Sequence, residues 1–503
     1  MGNDRSQILL RALLGGLLAG TGLSLSGVWW MLPALALLWS VALNPLAAAL
    51  WGGLAVAISH RWLLALHPLT WLGVPELLSL PLAAAVWLGC VLAAVLLLSG
   101  WSLLFRLLPG RGGVMQALVL SLIWGLGETL LSRSPLFWIG VGGSVFPADP
   151  ALGGLSRWCG AGGLAALQVF LGWCLLTQFA SADCDRKRLR QLGVGVLGLV
   201  VLHALGAAAL VGINRPDVSR APLNLALWQP AIPTREKFSA ERQSQFPRLL
   251  RAALTRAEAD GADLLIAPEG TLSLDRENLL VEPVPLISGG FRWVAGRQRS
   301  ALLLLQGDDA TPAAVIDKHR LVPLGEWTPA LPGLAGLSAV GGLEPGGASR
   351  LWRWGGPPVQ VAICYEISNG TALARAAARG GQWILTAANL DPYPLLLQQQ
   401  FLALAQLRSV ETARPLVSAA NTGPTAAINA QGEVTSRLTA MRPGVLTVQV
   451  QPSSVVTLYA RLREWPLVGL LLIAAATLFR PRSGSVLPPE PRHRRRTPPP
   501  VQE

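Results

Sequence analysis

Val359-Gln360-Val361-Ala362-Ile363-Cys364-Tyr365-Glu366-Ile367 is an apolar, β-branched run that ends on a cysteine and a glutamate. Five residues of that kind predict a buried strand, Val359 to Ile363, with the cysteine just past its end. The chain has five cysteines, and Cys364 is the only one between residues 214 and 463. None forms a C-x-x-C pair, so neither a zinc site nor a disulfide framework is indicated. A lone strand-end cysteine is by default a small buried hydrophobe. The alternative is a nucleophile, which needs a base, a cation and a donor for an oxyanion.

Working outward, short β-rich runs alternate with helical ones from about Pro222 onward. Strands are expected at 223–228, 263–267, 301–306, 313–317, 358–363, 383–388, 415–420, 425–429 and 444–450. Helices are expected at about 239–259, 370–379 and 395–412. This order predicts an α/β domain. In α/β folds the chemistry gathers at strand ends, and two further residues stand there. Glu269 follows Leu264–Ala267 in A-P-E-G, and Lys318 follows Ala313–Asp317 in D-K-H-R-L-V-P-L-G-E-W. Glu, Lys and Cys supply the three functions a cysteine nucleophile needs.

The remainder of the chain is apolar. Mean hydropathy is +0.45 and only 14% of the 503 residues are charged, too apolar for an ordinary soluble protein. Runs long enough to approach the roughly 20 residues of a membrane span lie at about 8–26, 28–44, 46–66, 79–105, 114–131, 154–180 and 192–213, with an eighth at about 464–479. The first is read as a retained helix, because another span follows at once and no small-x-small cleavage site intervenes. With a cytoplasmic N-terminus, eight alternating spans put Arg106, Arg111, the run Arg186-Lys187-Arg188-Arg190 and the tail with Arg494-Arg495-Arg496 on one side. That is the positive-inside pattern. It accounts for much of the net charge of +13 without nucleic acid, and it puts 214–463 outside the cytoplasm. The expected division is membrane helices over 1–213, a catalytic domain over 214–463, a last helix over 464–480, and a disordered basic, proline-rich tail over 481–503.

The ordered motifs A-P-E-G, D-K-H-R-L-V-P-L-G-E-W and I-C-Y-E-I resemble the nitrilase, or carbon–nitrogen hydrolase, superfamily. Seven spans before that domain, one after it, and the run R-S-V-E-T-A-R-P…N-T-G-P-T-A at 408–426 resemble its apolipoprotein N-acyltransferase branch. The resemblance implies an α-β-β-α sandwich outside the membrane, in the periplasm of a bacterial inner membrane, with both termini cytoplasmic. It implies Glu269 as general base, Lys318 as oxyanion stabiliser and Cys364 as the nucleophile that carries an acyl thioester. Glu326 matches a supporting glutamate beside the lysine, and Tyr365 and Glu366 match positions that shape the pocket. The implied partners are a phospholipid acyl donor, a diacylated apolipoprotein acceptor and membrane lipid, acting on a monomeric chain with no metal or other cofactor. A membrane-anchored amidase for a small amide is the alternative with the same triad. A transporter or receptor with a binding module outside is the alternative of another class, and the scarcity of ionisable residues in the spans disfavours it.

Other residues have blander readings. His319 neighbours Lys318 on an extended segment and is expected to point away from it. Arg408 and Glu411, three apart on a helix, are expected to pair, and Glu366 could pair with Arg408 or Arg414. Glu128, inside the fifth span, is expected to be paired or to face a cavity. Leu136-Phe137-Trp138 could line an entrance, and Gly333 to Gly347 could form a lid. The chain departs from the family at Ala231 (usually Asn), at Phe238 (usually Trp) and at Asn389-Leu390-Asp391-Pro392-Tyr393-Pro394.

Overall fold

The computed structural model describes residues 2–25, 27–70, 74–110, 112–134, 137–180, 185–211, 221–237, 239–272, 281–307, 311–323, 325–327 and 342–480. Arg111, Leu136, Phe238, residues 333–341 and the tail 481–503 lie outside the described residues.

The N-terminal region is helical: α1 (Gly2–Leu25), α2 (Val28–Val41), α3 (Pro45–Ser59), α4 (Glu76–Leu107), α5 (Val114–Ser132), the short α6 (Gly140–Gly143) and α7 (Pro150–Gly153), α8 (Ser156–Ala180) and α9 (Asp185–Val211). The boundary between α2 and α3 is set by Asn44, whose side chain accepts from the Leu46 and Ala47 N–H groups, with Pro45 in the first turn. The expected span 46–66 is corrected here. The α-helix stops at Ser59, and a 3-10 turn, Arg61–Leu66, replaces its last part. Among the described residues, five helices are long and apolar enough to cross a membrane: α1, α4, α5, α8 and α9. Val28–Val41, Pro45–Ser59 and Trp465–Leu478 are apolar but have only 14, 15 and 14 residues, about 21 Å of helix each. Leucines at Leu77, Leu88, Leu92 and Leu96 of α4 are more than half exposed, an apolar surface larger than a soluble protein normally shows.

The second region is built from β1 (Leu223–Gln229), α10 (Ala240–Ala259), β2 (Leu264–Ile266), β3 (Val281–Val294), β4 (Arg297–Gly307), β5 (Ala314–Asp317), β6 (Leu351–Trp352), β7 (Val359–Ile363), α11 (Gly370–Ala378), β8 (Trp383–Ala388), α12 (Leu395–Thr412), β9 (Leu416–Ala420), β10 (Ala426–Ile428), β11 (Val434–Arg437) and β12 (Gly444–Val450). The helices α13 (Leu458–Leu462) and α14 (Trp465–Leu478) follow. The strands form two six-stranded sheets, ordered β12-β1-β2-β3-β4-β5 and β11-β10-β9-β8-β7-β6. Strand alternation builds the layers. Ala226 and Trp228 pack outward on Leu250, Ala253 and Leu254 of α10, whereas Leu225 and Leu227 pack inward with Val361 and Ile363 of the other sheet. Phe401 and Leu404 of α12 cover the outer side of the second sheet and join the same continuous apolar cluster. The result is an α-β-β-α sandwich, as expected.

α12 is buried on nearly all sides because it lies between the second sheet and the apolar helices. From it Gln400 Nε2 donates to the carbonyls of Leu23 at 3.1 Å and Ser59 at 3.0 Å. The second sheet's helical layer is thereby fixed to the N-terminal helices.

Candidate active site

Glu269 and Lys318 come from the first sheet, just beyond β2 and β5, and Cys364 comes from the second, at the end of β7. Facing the two sheets brings the three together. Lys318 Nζ lies 2.6 Å from Glu269 Oε1 and 2.8 Å from Glu326 Oε2, and Lys318 is 1% exposed. Glu326 Oε2 also accepts the Val322 N–H at 2.9 Å, which closes a turn around the ammonium. Glu269 is held from its other side by the Asn389 N–H, 3.2 Å from Oε2.

Cys364 has φ +54°, a left-handed backbone that a non-glycine residue adopts only under strain and that recurs at reactive sites. It opens a 3-10 turn, Cys364–Ser368, whose first N–H groups have no partner within the turn. Glu366 locks this turn in place. Its carboxylate accepts the N–H groups of Ile363 (2.9 Å), His319 (2.8 Å) and Arg320 (3.0 Å), and Arg350 Nη1 lies 3.0 Å away. Its partner is Arg350, neither Arg408 nor Arg414. One buried carboxylate thus ties the Cys364 turn to the Lys318 loop.

Burial raises the Cys364 thiol well above the usual cysteine range, with the Glu269 carboxylate adding to the shift and Lys318 opposing it. At rest the sulfur is therefore a neutral thiol. Burial alone would depress Lys318, but Glu269 and Glu326 hold it well above the ordinary lysine range. Glu326 is raised by burial and partly restored by Lys318. The Lys318 ammonium is thus the group whose charge the site favours, beside a thiol held in its protonated form.

The remaining expectations sort as follows. The His319 ring turns to the Gly346 carbonyl (Nδ1···O 2.8 Å). Arg408 and Glu411 form a buried pair, and Glu411 Oε1 also accepts the Ala161 N–H at 2.6 Å. Glu128 is both paired and at a cavity. It accepts from Trp124 Nε1 at 3.0 Å and from the Val141 N–H at 2.8 Å, and it lines an apolar, partly open space of about 500 Å³ framed chiefly by α2 to α5. Phe137 and Trp138 line the same space. From there an aromatic contact chain continues, Phe137 to Trp62 at 6.0 Å and Trp62 to Tyr393 at 5.2 Å. Of the expected lid, residues 342–347 are pinned: the Leu343 N–H donates to the Glu326 carbonyl and the Gly346 N–H to that of Lys318, at 2.8 and 2.7 Å.

Several site residues were not singled out from the sequence. The buried Lys237 has Nζ 3.4 Å from the Glu269 carbonyl, and burial lowers it to about 8. Tyr393 sits in the departing loop, and Arg350 holds Glu366. Gly289 matters by having no side chain, since a Cβ there would stand 2.4 Å from Glu269 Cα. Only Tyr393 carried a signal, as part of an unusual segment. At the other departure, Ala231 takes φ +52°, a conformation that the usual Asn tolerates better.

The carbon-nitrogen hydrolase family matches residues 284–460. Among solved structures, Saccharomyces cerevisiae Nit3, a member of branch 10 of the nitrilase superfamily, covers 46% of this chain and 90% of its own, at 12% identity and a TM-score of 0.35. Apolipoprotein N-acyltransferase of Prochlorococcus marinus (strain MIT 9313) is 53% identical over 488 residues, 95% of this chain and 97% of that protein. The protein of the same name in Parasynechococcus marenigrum (strain WH8102) is 55% identical over 471 residues, 92% of this chain and 98% of that protein. With identity that high across both the helical region and the sandwich, the chain belongs to the apolipoprotein N-acyltransferase family.

Proposed function

We propose that this protein transfers an acyl chain from a phospholipid to the N-terminal α-amine of a diacylated apolipoprotein, through a thioester on Cys364. The observation that carries the reading is a buried Glu–Lys–Cys cluster in a chain whose apolar helices also frame an apolar space, with the ring contacts Phe137–Trp62 and Trp62–Tyr393 running from that space toward the sandwich. A soluble amide would need no such space, whereas a donor's acyl chain does. The near full-length match to proteins named apolipoprotein N-acyltransferase supports the same choice over a small-amide amidase.

In the first half, Glu269 takes the Cys364 proton as the sulfur attacks the ester carbonyl of the donor. Lys318 and the Tyr365 N–H hold the developing oxyanion. The tetrahedral adduct expels the glycerol oxygen, which leaves as lysophospholipid with the proton from Glu269. In the second half, the lipoprotein amine attacks the thioester and gives its proton to Glu269, and the sulfur leaves and is reprotonated. Glu326 keeps Lys318 charged and in place, and Glu366 fixes the turn that carries Cys364 and Tyr365. Substrates whose chains each contribute about 0.8 kcal/mol per buried CH₂ stay in the bilayer, so the cleft opens at the membrane surface.

The basic clusters favour an inner-membrane protein with residues 1–213 and 464–480 in the bilayer, 214–463 periplasmic, and both termini cytoplasmic. The exposed leucines of α4 are then lipid-facing. The test is to incubate the purified protein with phospholipid and a diacylated lipopeptide and to follow products by mass spectrometry. N-acylated lipopeptide is expected, and free fatty acid without acylated peptide would overturn the reading.

A further inference from the structure

The outer end of α5 is joined to the turn of Cys364 by Ser368 Oγ, which donates to the Ser132 carbonyl at 3.3 Å, and by Arg320, which neither the triad nor its supporting glutamates account for. Arg320 Nη1 donates to the Ser132 carbonyl and to Ser368 Oγ, each at 3.0 Å, and Nη2 donates to the Ser134 carbonyl. Ser132 ends α5, so the guanidinium caps orphan carbonyls at the negative end of the helix dipole. Its plane lies over the Tyr365 ring, with Cζ 4.6 Å from the centroid. Every side-chain acceptor is neutral, and the carboxylate of Glu366 takes only the backbone N–H of Arg320.

The other face of the same helix end belongs to the apolar space. Ile123, Trp124, Gly127, Glu128, Leu131 and Ser134 line it, at the spacing of a single helical stripe. One side of α5 is thus the wall of the cavity, and its C-terminal carbonyls hold the arginine that lies over the ring of Tyr365, the residue after Cys364.

We propose that Arg320 is a positioning residue that transmits occupancy of the apolar space, through the end of α5, to the Cys364–Tyr365 turn. A donor whose chain fills the space sets the wall, and the wall sets the turn. This rests on the acyl-transfer reading above. It makes Arg320 a determinant of preference for long-chain donors, with no contact to the reacting atoms required.

The test compares two donors on the full-length protein in detergent: a dipalmitoyl phospholipid, and p-nitrophenyl acetate, whose acyl group is too short to reach the space. Single-turnover acylation is followed by intact mass for the first and by nitrophenolate release for the second. Arg320→Met is expected to slow acylation by the phospholipid by about tenfold to a hundredfold while the acetate burst stays within about twofold of the parent. Arg320→Lys, which keeps a cation at the helix end, recovers part of the loss. Equal losses with both donors, no loss with either, or failure of both variants to fold would each overturn the proposal, because Arg320 would then be a general structural residue or an inert one. Cys364→Ala separates this from the parent reading: if it forms acylated lipopeptide like the unmodified protein, the thioester itself is wrong whatever Arg320 does.

Discussion

Gly289 offers a sharp test of whether the position of Glu269 governs the chemistry. The strand β3 passes directly beneath the loop that carries this carboxylate. A methyl group at residue 289 would lie 2.4 Å from Glu269 Cα, 2.5 Å from the Pro268 carbonyl oxygen and 2.6 Å from the Gly270 nitrogen. All three are backbone atoms, so no side chain can swing aside. Ordinary contact begins near 3.4 Å, and relief requires a shift of about 1 Å, the difference between 3.4 and 2.4 Å. A misplacement of about 1 Å typically costs about a hundredfold in rate, or about 2.7 kcal/mol of barrier. Overpacking adds about 1–3 kcal/mol of instability. Gly289→Ala is therefore expected to lower single-turnover acylation by about a hundredfold, with a measurable but smaller fall in melting temperature. Gly290→Ala is the control: its methyl would meet Leu303 Cδ1 at 3.0 Å, the far end of a flexible side chain. Acylation by Gly289→Ala at the parental rate would refute the placement of Glu269 as base.

Further outcomes follow from the same geometry. Arg350→Ala leaves Glu366 buried without its cation and is expected to destabilise the protein by about 3–5 kcal/mol, seen as a large drop in melting temperature. Alkylation of Cys364 by iodoacetamide should keep accelerating beyond pH 9, because the thiol lies above the usual range and the reactive thiolate accumulates only as pH rises; a plateau near neutral pH would mean a preformed thiolate. Ala231→Gly should stabilise the chain by about 1 kcal/mol, by relieving the left-handed strain at φ +52°, and thermal melts will show it.

The strands that carry Glu269, Lys318 and Cys364 were legible because each is a short buried run ending on one chemically versatile side chain. β3 was not, although it is 14 residues long, because Pro283, Pro285 and the pair Gly289-Gly290 read as breakers. Its prolines lie where the register to β4 shifts, and its glycine admits the Glu269 loop. Periodicity suggested the span 46–66 but could not see the turn at His60, which ends α3 and presents Trp62 to Tyr393. Partners such as Arg350, Lys237 and Arg320 left no local signature. Each acquires its role only when distant segments converge, as Arg320 does with the end of α5, 186 residues away at Ser134. The left-handed backbone of Cys364 is likewise invisible in composition.

The central claim is that Cys364 carries the acyl chain. Purified protein should be given phospholipid alone, digested, and its peptides mapped by mass spectrometry. The expected result is one acyl group on the peptide containing Cys364, lost when diacylated lipopeptide is added and recovered on the lipopeptide amine. Triacylated product formed by Cys364→Ser at the parental rate, with no acyl group on residue 364, would contradict it.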